Sequence, residues 1–193
     1  MPSQVSLMNR ALAVFAGARV VSPDDDTREA MHCKLAWDGV RDAALAVYPW
    51  GFATKWARLA RKLDAPAFGF RYSYALPPDC LYLIDIRAEN DLTAQPEQHF
   101  LVGGNVYADA DQTLARYVFR HENCALWPPH FCEVFALRLA VEVAPYLSQE
   151  AGLGIKLREA YYQALPLAAT ADARQDNAPP LRESCDYIDG RQG

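Results

Sequence analysis

The chain has 193 residues and a mass of 21.5 kDa, enough to bury a sizeable core without disulfides or a metal. With 51% hydrophobic and 22% charged residues, wholesale disorder, collagen-like repeats and low complexity are excluded. A formal net charge of -5 argues against binding nucleic acid through the overall field.

In chain order, Val5, Met8, Leu12 and Phe15 recur at steps of three and four, which predicts a first helix over about 3–16, ended by Gly17. Ser22-Pro23-Asp24-Asp25-Asp26-Thr27 then offers oxygen acceptors and negative charge to the start of a second helix over about 27–47. Met31, Leu35, Val40, Ala44 and Val47 are expected to face inward from it, and Pro49 interrupts the path. Phe52, Trp56, Leu59 and Leu63 are spaced four, three and four. That predicts a short amphipathic helix over about 51–63 with Lys55, Arg58, Arg61 and Lys62 on a solvated basic face.

From about 68 to 120 the pattern changes to aromatic and β-branched clusters of strand length: Phe70, Tyr72 and Tyr74; Leu81, Leu83 and Ile84; Phe100 to Val102, Val106 and Tyr107; Leu114, Tyr117, Val118 and Phe119. Gly103-Gly104 is a natural tight turn between two of them, because glycine accepts positive φ. After Pro128-Pro129 the helical period returns over about 130–147 with few charges, which marks a helix buried on most sides and central to the core. Leu153, Leu157, Tyr161, Ala164 and Ala168 predict a last helix over about 150–170, kinked or ended by Pro166. Beyond Asp172 little is left to bury, and 176–193 is expected to be a flexible tail following one domain over 1–175. The fold class expected is mainly α (α+β), an antiparallel helical bundle with a small inserted antiparallel β-sheet.

The residues able to carry chemistry are few in pattern. His121, Cys124, His130 and Cys132 place four soft donors within twelve positions, but H-x2-C-x5-H-x-C is not a common structural zinc spacing, and a turn with a partly buried thiol is expected instead. No G-x-S-x-G, glycine-rich phosphate loop or H-E-x-x-H is present, and Glu122, Glu133 and Glu142 suit helical surface positions as well as catalytic ones. No catalytic residue, metal or cofactor is therefore expected. The five cysteines make an odd number without a C-x-x-C pair, which suits reduced thiols. The N-terminal segment lacks an apolar core suited to a signal peptide, and no apolar run approaches the roughly 20 residues of a membrane span. Abundant tyrosines suit surfaces that bury a ring while the hydroxyl keeps a polar partner.

Two blocks carry a resemblance. Pro49-Trp50-Gly51-Phe52-Ala53-Thr54-Lys55 fits P-W-x-F-A-x-K, and Tyr72-Ser73-Tyr74-Ala75-Leu76-Pro77-Pro78-Asp79-Cys80-Leu81 fits Y-x-Y-x-L-P-x-D-C-L. Asn9 to Leu12, Asp24 to Asp26, Leu114 to Arg120, and Tyr161 to Leu165 with Asp172 extend the likeness along the chain. In these residues the sequence resembles the tail tubular protein A family of short-tailed bacteriophages, with Pro49, Trp50, Phe52, Lys55, Tyr72, Tyr74, Leu76, Pro77, Cys80 and Tyr161 as the matching motif positions. Ala108, where the pattern expects threonine, and Pro166 depart from it.

The resemblance implies a structural virion protein of phage or prophage origin, made in the bacterial cytoplasm and not an enzyme. It implies a head-to-tail adaptor assembled as a ring of twelve between the portal protein and the tail nozzle protein, with duplex DNA passing through and no membrane partner. Twelve copies at -5 give -60, so the channel is expected to let DNA slide with little affinity. The tail is expected to order against the portal or an adjacent subunit. Competing readings are a virion-associated peptidoglycan hydrolase and a host DNA-binding or partner-binding module.

Overall fold

The computed structural model describes residues 1–63, 66, 69–88 and 95–176. Four α-helices and seven strands are found among them: α1 (Gln4–Ala13), α2 (Arg28–Ala46), α3 (Pro129–Leu147) and α4 (Leu153–Asp176), with β1 (Thr54–Arg58), β2 (Ala60–Arg61), β3 (Tyr72–Ala75), β4 (Cys80–Ala88), β5 (His99–Val102), β6 (Asn105–Ala108) and β7 (Thr113–Phe119). Short 3₁₀ turns occupy Gly51–Ala53 and Cys124–Leu126.

Local chemistry starts the helices where the sequence suggests. Ser3 and Ser6 form a reciprocal capping box at α1, and the Thr27 hydroxyl accepts from Ala30 N–H at α2. Asp25 sits upstream of α2 and takes the amides of Val21 and Ser22, which lowers its pKa. Pro129 opens α3, where a missing N–H costs nothing. Apolar on nearly all sides, α3 packs against α1, α2 and α4 and forms the centre of the helical core.

The strands form two antiparallel sheets, one ordered β1-β7-β4 and one ordered β2-β3-β6-β5. The first sheet separates two cores. Val118 on β7 turns toward the helices and joins Trp50, Phe131 and Phe135, whereas its neighbours Ala115 and Tyr117 turn the other way onto Leu59, Tyr74, Ile86 and Val106 of a second core. Register shifts between Cys80 and Tyr82 and between Leu83 and Asp85 let β4 serve both cores, with Leu81 and Ile84 toward the helices and Cys80, Leu83 and Ile86 toward the second sheet. Helices, first sheet and second sheet thus make three layers.

This overturns the expected helical bundle with a small inserted sheet: the architecture is a mixed α+β fold, 47% helix and 21% strand among the described residues, with two sheets. The main error is the helix expected over 51–63. Thr54 to Arg58 instead pair with Val118 to Leu114 of β7, Leu59 N–H reaches Thr113 O at 2.9 Å, and Lys62 N–H reaches Ser73 O at 2.8 Å, so one extended segment crosses from the first sheet to the second. Pairing partners roughly 60 positions away decided the conformation, a term that local periodicity does not contain. Trp56 and Leu63, expected inside a helix interface, are 41% and 105% exposed.

Two smaller corrections concern the helices. In α2 the inward face is Ala30, Cys33, Trp37, Val40 and Ala44, while the expected Met31, Leu35 and Val47 point outward. Trp37 settles this, stacking on Trp127 at 6.2 Å and meeting Phe135 edge-on at 4.8 Å. Pro166 does not end α4, which continues to Asp176; the Thr170 hydroxyl donates to Pro166 O at 2.8 Å within it. Asp172, expected at the start of a loose tail, is helical and buried. The rest of the expected tail, 177–193, and Phe68 lie outside the described residues.

Candidate interaction site

The motif residues assemble into three packed clusters. In the first, the turn that follows Pro49 drives Trp50 fully into the helical core, where its indole N–H donates to Ala44 O at 2.9 Å and its ring meets Tyr48 and Phe131 edge-on. Phe52 packs on Phe131 at 4.9 Å and on His121 at 5.6 Å. Asp172, on α4, closes this cluster: one carboxylate oxygen accepts the Gly51 N–H at 2.8 Å, and the other lies 3.2 Å from His130 Nε2. A carboxylate only accepts, so Nε2 carries the proton. One side chain therefore ties the end of α4 to the start of α3 and to the turn entering β1.

The second cluster is polar. Lys55 Nζ donates to Asp79 at 2.7 Å and lies 4.4 Å from the centre of the Phe119 ring, and the Tyr117 hydroxyl donates to the other Asp79 oxygen at 3.2 Å. The hydrogen bond to Asp79 holds the Lys55 ammonium above its ordinary pKa. Burial pushes Asp79 up, yet Lys55 and Tyr117 outweigh it and the carboxyl sits below its ordinary value. Pro77 fixes the turn before it, with Cys80 N–H donating to Pro77 O at 3.0 Å. The third cluster is in the second sheet, where Tyr74 is buried with its hydroxyl donating to Ala110 O, Tyr72 carries the Arg61 guanidinium 4.1 Å from its ring centre, and Leu76 N–H donates to Gly104 O. Tyr161 stands apart on α4, buried beside Arg138.

The soft donors at His121, Cys124, His130 and Cys132 do not converge on one point. His130 pairs with Asp172, Cys132 Sγ points to Trp127 O at 3.6 Å, and His121 lies among Phe52 and Phe119. Among the described residues no three His, Cys, Asp or Glu side chains gather around one point. Burial pushes the Cys33 thiol up to about 11 and raises Cys80, Cys124 and Cys132, which keeps all four protonated at neutral pH. Burial also lowers His121. Glu133 pairs loosely with Arg10 at 3.7 Å on the surface.

What the residue reading missed is at the surface. Leu35, Gly39 and Ala43 of α2, Arg138 and Glu142 of α3, and Arg158, Tyr161 and Tyr162 of α4 line two grooves that share Arg138 and Glu142 and form one face across three helices. Leu35 is 75% exposed, and Tyr146 and Tyr162 add aromatic area at its edge. At the opposite layer, Phe100, Leu101 and Val102 present apolar side chains along β5, next to the Gly103-Gly104 turn. Tyrosine-rich composition was the one available signal, and it does not say which rings are exposed.

No helix among the described residues is long and apolar enough to cross a membrane. No protein-family model matches the chain, and no curated protein matches it at a significant level.

Proposed function

We propose that this chain is a structural adaptor of a short-tailed phage or prophage particle, working as one subunit of a ring of twelve between portal protein and tail nozzle protein. The observation that carries the reading is the exposure of apolar and aromatic side chains at both extremes of the layered molecule, the three-helix face and the β5 edge. A subunit that touches several neighbours needs more than one such surface. The resemblance in the quoted sequence blocks supports the reading, and their residues act by packing: Trp50, Phe52 and Tyr74 fill the two cores while Lys55 and Asp79 brace the sheet between them. The acidic total charge lets duplex DNA slide through with little retention.

The test is to mix the purified protein with a portal protein from the same genome and image the product by electron microscopy. A twelve-fold ring on the portal is the expected result. Failure to bind that portal in solution, together with absence from purified particles, overturns the reading. Tight salt-sensitive binding of duplex DNA by the ring contradicts its DNA-sliding part.

A further inference from the structure

We propose that the α2–α3 face pairs with a second copy of this chain, face to face about a two-fold axis that crosses α2 at Gly39. Three observations converge on it. The outward row of α2, at steps of four, is Met31, Leu35, Gly39, Ala43 and Val47, all exposed and none charged. Such a row is a ridge for packing against another helix, and this helix spends its inward face on Trp37, Val40 and Ala44 already.

Gly39 is the second observation. A glycine in mid-helix destabilises it relative to alanine, and here a Cβ would meet nothing within 4 Å, so no neighbour among the described residues requires its absence. Close approach of a backbone from outside would.

The third is charge. In the middle of α2 the charges are occupied: Lys34 pairs with Asp24 at 2.5 Å, Arg41 with Asp38 at 2.8 Å and with Asp42 at 2.9 Å, and Arg120 also holds Asp42 at 2.9 Å. Arg138 and Glu142 line the same groove as Gly39, one helical turn apart, and neither makes an ion pair among the described residues. Arg138 lies over the Tyr161 ring, at 5.6 Å. An antiparallel copy sets Arg138 against the partner's Glu142 and Glu142 against the partner's Arg138, both satisfied at once. The same operation places Leu35 of one copy over Ala43 of the other and Met31 over Val47, large against smaller on each side of Gly39. This self-complementarity selects a second copy over an unrelated partner.

The pairing does not rest on the adaptor reading and competes with it for this face, since a two-fold contact closes on two copies whereas a ring needs a head-to-tail contact. Sedimentation equilibrium of the full chain up to about 100 μM tests it, a range that captures weak contacts. The wild type is expected to dimerise. Arg138→Glu and Glu142→Arg, each alone, face like charges and lose at least about tenfold in affinity, while a mixture of the two variants forms a heterodimer with both pairs restored. Gly39→Leu, at a site with open space in the monomer, abolishes pairing while circular dichroism stays unchanged. A monomeric wild type at all concentrations, or a mixture no tighter than either single variant, overturns the proposal. If Arg138→Glu perturbs the Tyr161 contact and unfolds, Leu35→Asp at a 75% exposed position replaces it, and unaltered dimerisation of that variant overturns the proposal equally.

Discussion

Asp172 ties the end of α4 to the start of α3 and to the turn entering β1. Its buried carboxylate satisfies the Gly51 amide and His130 together, and Asp172→Ala leaves both without their acceptor. The expected cost is about 2–3 kcal/mol, read from urea unfolding, with the midpoint falling and the slope unchanged. Asp79 offers a pH test. Its folded pKa lies below the unfolded one, so its contribution is present above the unfolded value and disappears as pH falls through the folded value. Lys55 is shifted up, so its contribution is present below its unfolded pKa and is lost as pH rises through the folded one. Both side chains are more than a third exposed, and solvent screening limits the pair to about 1 kcal/mol or less. Asp79→Asn is therefore expected to destabilise slightly at neutral pH, and the gap from wild type to narrow in acid-titrated unfolding curves as pH falls below the ordinary Asp value and through the lowered folded one.

At the scale of elements, the β5–β6 hairpin depends on its turn. Gly103 and Gly104 have φ of 55° and 74°, a pair of positive values that matches the twist of the flanking strands. Gly104→Val is expected to cost about 1–2 kcal/mol by thermal unfolding, because a β-branched residue resists that backbone. The turn was legible in the sequence, as were α3, from its almost continuous apolar period, and the strands through Tyr74, Ile84, Val106 and Tyr117. The segment from Thr54 to Lys62 was not. Its apolar side chains fit a helical spacing, and the decision came from pairing with β7, far along the chain, and with β3. The face of α2 misled for a related reason: Met31 and Leu35 are apolar residues that the isolated chain leaves in water, so apolarity alone pointed to the wrong side. Of the candidate site, Trp50 and Tyr74 were visible as large aromatic residues in quoted blocks, whereas the paired roles of Asp79 and Asp172 depend on contacts that sequence spacing does not encode.

For the molecule as a whole, the arrangement of two cores around one shared sheet governs how it comes apart. Ile86 is fully buried in the second core, and Ile86→Ala is expected to cost about 2–4 kcal/mol from lost burial and the residual cavity. Amide hydrogen exchange in the variant should accelerate in β3 and β6 before it does in α3, since α3 belongs to the other core. Uniform acceleration everywhere would mean that the two cores unfold as one unit. The pairing of β1 with β7 has a consequence for descent as well. Thr54 lies opposite Val118, so the chain enters and leaves the entire β region at one doorway beside the helices. A region with a single doorway behaves as a cassette: recombination can lengthen, trim or exchange what lies between 54 and 119 while the helices keep their connections.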